Sequence, residues 1–452
     1  MFDVAIINGN IYNDNTFVTS NLYIKNNKID VITNQFLDAN EVYCAKDKYV
    51  LPGFIDPHVH FSLDVLKYKS SDDFYEGSIA AAFGGITTFI DFLDPINYVS
   101  ELNDAFNKRH NNAKKSVIDY SFHATLANPQ DEPEKFYCLM KNYGIPTVKI
   151  FTTYSASKRN TSDRYIDKML INSKENGICI LVHAENEGIV LEGTDILVSE
   201  HSKARPEIAE ISEVLKLAEM TNYRDGKMYI VHVNCGTTIK HLKEKYSKNL
   251  NTDFIIESCP HYFYFTENIY QTEKGKFYTM TPPLRSEKEK KILIENIDNV
   301  FVVGTDHCPF DKRLKTNKHV NKMPQGVGGI EHSFLLMYSL FGDKIIDKFT
   351  INPAKMHGLY PKKGILASGS DADIVIFDKN FTNKIKYNSF RSDNSFRSDY
   401  NVRSDYNVRS DYNIYEGIEV RGKIISTISK GKFVVKDGVF MGGQGDYLLR
   451  FI

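Results

Sequence analysis

Cysteine is scarce and unpatterned in this chain. Six occur among 452 residues, Cys44, Cys138, Cys179, Cys235, Cys259 and Cys308, and none forms a CxxC pair. Several sit inside apolar runs such as ICILVH and ESCPH, where cysteine acts as a small buried hydrophobe. Nothing in their spacing suggests a disulfide framework, so a reducing cytoplasm is the expected setting. Charge of one sign is missing as well. The formal net charge is −1, which leaves no global basic field for nucleic acid to meet. No apolar run approaches the length of a membrane span. The opening stretch, MFDVAIINGNIYNDN, lacks the cationic leader of a signal peptide. What remains is an ordinary globular composition, 42% apolar and 25% charged, at a length suited to one large domain or a large and a small one.

Two kinds of pattern alternate along the chain. Residues 1–51 hold short strand-like runs, FDVAIING and NLYIKNNKIDVIT, broken by Asn-Gly and Asn-Asn turn signals. Residues 356–452 read the same way in DADIVIFD and GKIISTISKGKFVVKDG. Between them, over 52–355, eight β-branched runs recur: GFIDPHV, ITTFIDF, VIDYSFHAT, TVKIF, ICILVHA, MYIVHV, DFIIESC and VFVVGTD. Longer charged stretches with helical patterning separate them, EIAEISEVLKLAEMT (207–221) being the clearest. Such alternation implies parallel strands, and eight units imply a closed (β/α)8 barrel of the TIM type. An open doubly wound sheet is the rival fold. It wants a Gly-rich turn after its first strand to bind a dinucleotide, and none stands there. A six-residue polar unit repeats over 386–413, with arginines at 391, 397, 403 and 409. It reads as an expanded surface loop.

Barrel enzymes place their chemistry at the C-terminal ends of the strands. In GFIDPHVHF, His58 and His60 are one residue apart, so on a strand both imidazoles face one side. Lys149 lies within strand four, His183 and His232 end strands five and six, and Asp306 ends strand eight. Singly each has a plain explanation: a strand-end histidine satisfied by hydrogen bonds, an aspartate capping a turn. Jointly, four histidines and an aspartate at one end of a barrel are a metal site, and imidazole with carboxylate suits zinc and similar divalent ions. His201, His261, His307 and His332 stay outside this ligand set. A desolvated Lys149 would have a lowered pKa and a nucleophilic neutral amine. Such an amine can capture carbon dioxide as a carbamate, a carboxylate on a long arm that bridges two cations.

The motifs HVH, VKIF followed by Tyr154, LVHAEN, IVHVNCG, ESCPHYFYFT, MTPPLR, VGTDHCPF and GLYPKKGILASGSDADIVIFD together resemble the dihydropyrimidinase/hydantoinase branch of the cyclic amidohydrolases. The resemblance runs over nearly the whole chain. It implies the (β/α)8 barrel with a β-sandwich domain built from both chain ends. It implies that His58, His60 and Asp306 bind the more buried of two divalent metal ions, most often Zn2+. His183 and His232 bind the second, and N6-carboxylated Lys149 bridges them. Tyr154 then donates to the developing oxyanion, and Asp306 carries the proton from attacking water to leaving nitrogen. Thr281 contacts the substrate through its main chain, standing where many members have Ser. Gln325 stands where many have Asn, and Ser333 where relatives often have Arg; these departures bear on substrate range. An apolar wall of Leu63, Leu66 and Phe151 would set preference for the ring substituent. The implied reaction opens a cyclic ureide, such as dihydrouracil or a 5-substituted hydantoin, to an N-carbamoyl amino acid. Family members are often homotetramers.

Two alternatives belong beside this. Allantoinases and dihydroorotases usually carry a Glu-Pro-Gly type segment after the HxH strand, which HVHFSLDVLKYK lacks. Non-catalytic scaffolds of the same fold have lost metal ligands, whereas all six positions are kept here. The resemblance also explains the hexapeptide. Relatives carry one stretch like SDYNVYEG, and here YNIYEG (412–417) follows several near-copies, as tandem expansion of one loop would leave it.

Overall fold

The computed structural model describes every residue except 66, 193–194 and 387–410. Most of the repeat, and Leu66, therefore lie outside the described residues. Eight parallel strands form one sheet in sequential order: β1 (Phe54–Val59), β2 (Ile86–Phe92), β3 (Asp119–Thr125), β4 (Thr147–Phe151), β5 (Cys179–His183), β6 (Met228–Ile230), β7 (Phe254–Ser258) and β8 (Val302–Val303). These are the eight β-branched runs of the sequence. Nearly every residue in them is buried, as expected of parallel strands covered on both faces. A helix follows each strand, from Phe74–Phe83 after β1 to Ser333–Phe341 after β8. The helix expected over 207–221 runs over Glu207–Arg224.

β8 is short, so the barrel closes just beyond it. Val59 bridges His307 in parallel, and the His60 N–H donates to the His307 carbonyl at 2.9 Å. Asp56 of β1 reinforces the seam, accepting from the Thr305 N–H at 3.1 Å and the Thr305 hydroxyl at 2.6 Å. The closure thus falls at the strand ends that carry the candidate ligands.

Both chain ends build a second, nine-stranded sheet. Its central pairing joins Tyr49–Pro52 to Ile374–Lys384 in antiparallel register, with Val50 opposite Ile376. Alternate apolar residues, including Val4, Ile6, Leu22, Ile24, Val50, Ile374, Ile376 and Ile428, fill its own core. Among the described residues no helix is long and apolar enough to cross a membrane.

Two buried cations tie these parts together below the barrel. Lys363 is 1% exposed and its ammonium meets Asp119 of β3 at 2.8 Å, Asp371 at 3.1 Å and Asp373 at 2.5 Å. Arg450, fully buried, donates to Ser121 Oγ at 2.8 Å, Thr147 Oγ1 at 2.9 Å and the His357 carbonyl at 3.2 Å. It braces β3 against β4. Removing Lys363 strips Asp373 of its ion pair, while Asp119 keeps Lys430 at 2.9 Å and Asp371 keeps Lys28 at 2.5 Å. Lys363→Met is therefore expected to cost about 3–5 kcal/mol of unfolding free energy in a urea titration. A loss below about 1 kcal/mol would mean that Lys430 and Lys28 suffice to balance the three carboxylates.

Candidate active site

The strand period and the turn at each strand end bring the candidate residues to the C-terminal mouth of the barrel. His58 and His60 face the same space, with ring centroids 5.2 Å apart. Their Nε2 atoms lie 3.2 and 3.0 Å from one oxygen of Asp306. These three side chains form a group able to hold a metal ion, their ligand atoms all within 4.8 Å of one another. Across the mouth, His183 Nδ1 and His232 Nε2 face each other at 3.0 Å. The His58 and His232 rings, 5.6 Å apart, connect the two groups. Lys149 is 4% exposed, its Nζ 5.6 Å from the centre of the Phe92 ring and 5.7 Å from that of Phe151.

Three site residues, Tyr154, His232 and Asp306, have left-handed backbone, at φ 74°, 43° and 49°. Non-glycine residues adopt it at a cost of about 1–3 kcal/mol, and such strain gathers at functional sites. A Cβ at Gly304 would come within 2.9 Å of the Glu257 carboxylate and 3.0 Å of His58 Cβ.

Burial and neighbouring charge set the protonation states. Burial holds His60 below its ordinary pKa, His183 at about 4 and His232 well below the usual range, so all three are neutral. Burial opposes charge on His58 too, but the Glu257 and Asp306 carboxylates outweigh it and raise the pKa. Asp306 is held ionised below its ordinary range, because His58 and His60 overcome the effect of burial. Burial lowers Lys149 to about 8 and raises Tyr154 above the ordinary tyrosine value, keeping the phenol protonated.

The donor set fits a divalent cation. His60 Nδ1 is buried without a hydrogen-bond partner. At 3.0 Å a His232 Nε2–H can donate to the His183 Nδ1 lone pair, and the same two nitrogens, both unprotonated, would offer two lone pairs to one cation. His183 Nε2 is already engaged by Glu185 at 2.7 Å, which leaves Nδ1 as the lone-pair nitrogen turned to His232. His58 Nδ1 is likewise engaged by Glu257 at 2.7 Å, leaving Nε2 for the mouth. A ligand imidazole held by a carboxylate at its other nitrogen is the usual outer arrangement of a metal site. His307 differs. Its Nε2 meets Asp72 at 2.8 Å and its Nδ1 accepts the Gly329 N–H at 3.1 Å, so both nitrogens are spent on structure.

A model of the amidohydrolase family matches residues 49–328 and 337–434. The D-hydantoinase of Geobacillus stearothermophilus is 31% identical, over 98% of this chain and 96% of its own. The D-phenylhydantoinase of Escherichia coli O9:H4 (strain HS) is 30% identical, over 99% and 98%. The chain belongs to the amidohydrolase family. Among solved structures, a crystal structure of a D-hydantoinase superposes with TM-score 0.89 at 31% identity, covering 100% of this chain and 99% of that one. The dihydropyrimidinase from Brevibacillus agri NCHU1002 gives 0.88 at 29%, with the same coverage.

The other expected residues of this amidohydrolase fall as follows. The Tyr154 ring lies 5.0 Å from that of His183 and 5.9 Å from that of Phe151, so Phe151 borders the same space. Thr281 and Gln325 touch through their side chains. Leu63 is half-buried in the loop after β1, its N–H bonded to Ser70 Oγ at 2.8 Å. Ser333 is buried and donates to the Ile330 carbonyl at 3.2 Å, so its hydroxyl serves the start of its own helix.

Sequence reasoning missed the supports. Glu257 accepts from His58, from the His232 N–H at 3.0 Å and from the Tyr229 hydroxyl at 2.7 Å. Glu185 is clamped by Arg205 at 2.6 Å, and the Arg205 guanidinium sits 5.1 Å above the Tyr154 ring. Phe92 packs 4.9 Å from both His58 and His60. The available signal was a carboxylate inside an apolar strand, Glu257 in DFIIESC, since buried charge needs a partner. Replacing Glu257 by Gln keeps the shape and removes the charge. Chelator competition should then show divalent-cation affinity about 10–100-fold weaker; wild-type affinity would contradict an orienting role.

Proposed function

We propose that the protein is a metal-dependent cyclic amidohydrolase. It opens dihydropyrimidines or 5-substituted hydantoins to N-carbamoyl amino acids. The observation that carries this reading is the convergence of His58, His60 and Asp306 beside the facing pair His183 and His232. The names of relatives about 30% identical over nearly their whole length supply the substrate class. His58, His60 and Asp306 would hold one divalent ion and His183 with His232 a second, Zn2+ being the choice that imidazole and carboxylate favour. Lys149, as its carbamate, would supply a carboxylate to both. Its neutral amine attacks carbon dioxide, the new N–C bond forms as the nitrogen releases a proton, and the product is a carboxylate. The lowered pKa of the buried amine supports that step.

When bound, the two cations supply Lewis acidity for the ring carbonyl and for a water molecule. The protein's own groups do the rest. Asp306 takes the proton of the attacking water and delivers it to the leaving ring nitrogen, base first and then acid. The Tyr154 hydroxyl, held protonated, donates to the oxygen that becomes negative. One such donor is worth about 3–4 kcal/mol. Thr281 and Gln325 would hold the ring amide, and Phe151 and Leu63 would line the side that meets the ring substituent. We assign residues 52–355 to the catalytic barrel, and 1–51 with 356–452 to the sheet domain. A cytoplasmic homotetramer completes the proposal, the six free cysteines supporting a reducing compartment.

Dihydrouracil, hydantoin, allantoin and dihydroorotate assayed side by side should give turnover on the first two. Turnover on allantoin or dihydroorotate alone would reject the substrate class. Lys149→Ala should lose bound metal and activity together, with partial rescue by added short carboxylates; full turnover without them would reject the bridge. Asp306→Asn should retain more metal than activity.

A further inference from the structure

Lys315 is fully buried and has no part in the reaction described above. Its ammonium donates to the Thr279 carbonyl at 3.0 Å, the Thr279 hydroxyl at 3.3 Å and the Gly326 carbonyl at 2.6 Å. Three donors meet three oxygens, so no N–H is left for a ligand and none of the group reaches solvent. Burial lowers its pKa to about 7; all three of its contacts are to acceptor oxygens, so its role here is that of a donor. What it joins is informative. Thr279 stands two residues before Thr281, and Gly326 directly follows Gln325.

Two direct contacts also join the segments, one of them between the side chains of Thr281 and Gln325. The Gly326 N–H donates to the Thr279 carbonyl at 2.9 Å, so that one oxygen takes both Lys315 and the facing loop. His201 Nε2 engages the next carbonyl, Met280, at 2.9 Å. On the other side Gly326, at φ 142°, is pressed against the exit of β8. A Cβ there would lie 2.4 Å from the Cys308 carbonyl, and the Cys308 N–H donates to Val327 at 2.9 Å. Strand exit, loop 325–327 and loop 279–281 therefore form one stack with the Lys315 ammonium between the two loops.

We propose that Lys315 is a positioning residue for substrate binding: its buried ammonium staples together the loops that carry Thr281 and Gln325. The inference rests on the reading of that pair as ring-amide contacts. The staple fixes the spacing between them and thereby the fit of the ring, without touching substrate or metal ligands. Relaxing it weakens ground-state and transition-state binding alike, which appears in KM and leaves kcat little changed.

The test is Lys315→Met, of similar length and without donors, assayed on dihydrouracil with bound metal and melting temperature measured on the same sample. The expected result is a KM about tenfold higher, equivalent to about 1.4 kcal/mol, with kcat and metal content retained. A lowered melting temperature with wild-type KM would make the lysine merely structural and overturn the proposal. Thr279→Val removes one of the three acceptors and guards against a Met variant that does not fold. It should raise KM by less, with metal retained, and an unchanged KM there also overturns the staple. Gln325→Ala separates the two readings, because wild-type KM in that variant rejects the substrate role of the pair itself.

Discussion

The Glu257 carboxylate is the point on which the barrel mouth depends. One oxygen accepts from both the His58 ring and the His232 backbone N–H, and the other from Tyr229. His58 belongs to the group with Asp306, and His232 to the pair with His183. A single buried negative charge therefore sets the orientation of both groups and the distance between them. Placing four imidazoles, an amine and an aspartate in an apolar strand end would otherwise be costly, since each charged form must find a partner or be suppressed. The structure uses both solutions: His183 and His232 are held neutral by burial, while His58 and Asp306 stabilise each other's charge.

The same division of labour recurs one layer out. Arg205 fixes Glu185, which fixes His183, and its other face supports the Tyr154 ring. Tyr154 and His183 thus depend on one guanidinium, one directly and the other through Glu185. Rigid outer contacts of this kind let the inner side chains keep the strained backbone seen at Tyr154, His232 and Asp306.

Much of this was legible in the sequence, and for a physical reason. Parallel strands buried on both faces leave long β-branched runs, so all eight barrel strands appear as such, and the ligand-type residues stand out as polar interruptions at their ends. The outer contacts were not legible. Glu257 stands out as a carboxylate in an apolar strand and Glu185 as nothing unusual, but their partners, up to 199 positions away, cannot be read in one dimension. Lys315 sits in a charged run, DKRLKTNKH, that reads as solvated surface, although it is fully buried. A solvated run and a run with one inward lysine have the same composition. Ser333 shows the converse, a position singled out by resemblance whose hydroxyl serves only its own turn.

Arg450 carries a consequence for the order of synthesis. Its guanidinium braces Ser121 and Thr147 from 329 and 303 positions away. Strands three and four leave the ribosome long before that brace exists. A nascent barrel must hold those strands by their ladder and by the His123–Thr147 side-chain contact at 2.6 Å, with the Ser121 hydroxyl and the Phe122 carbonyl waiting for the guanidinium. The final packing of the barrel floor is then a late event, some 300 residues after those strands are made, and any chaperone that shields the half-built barrel has that whole interval in which to act.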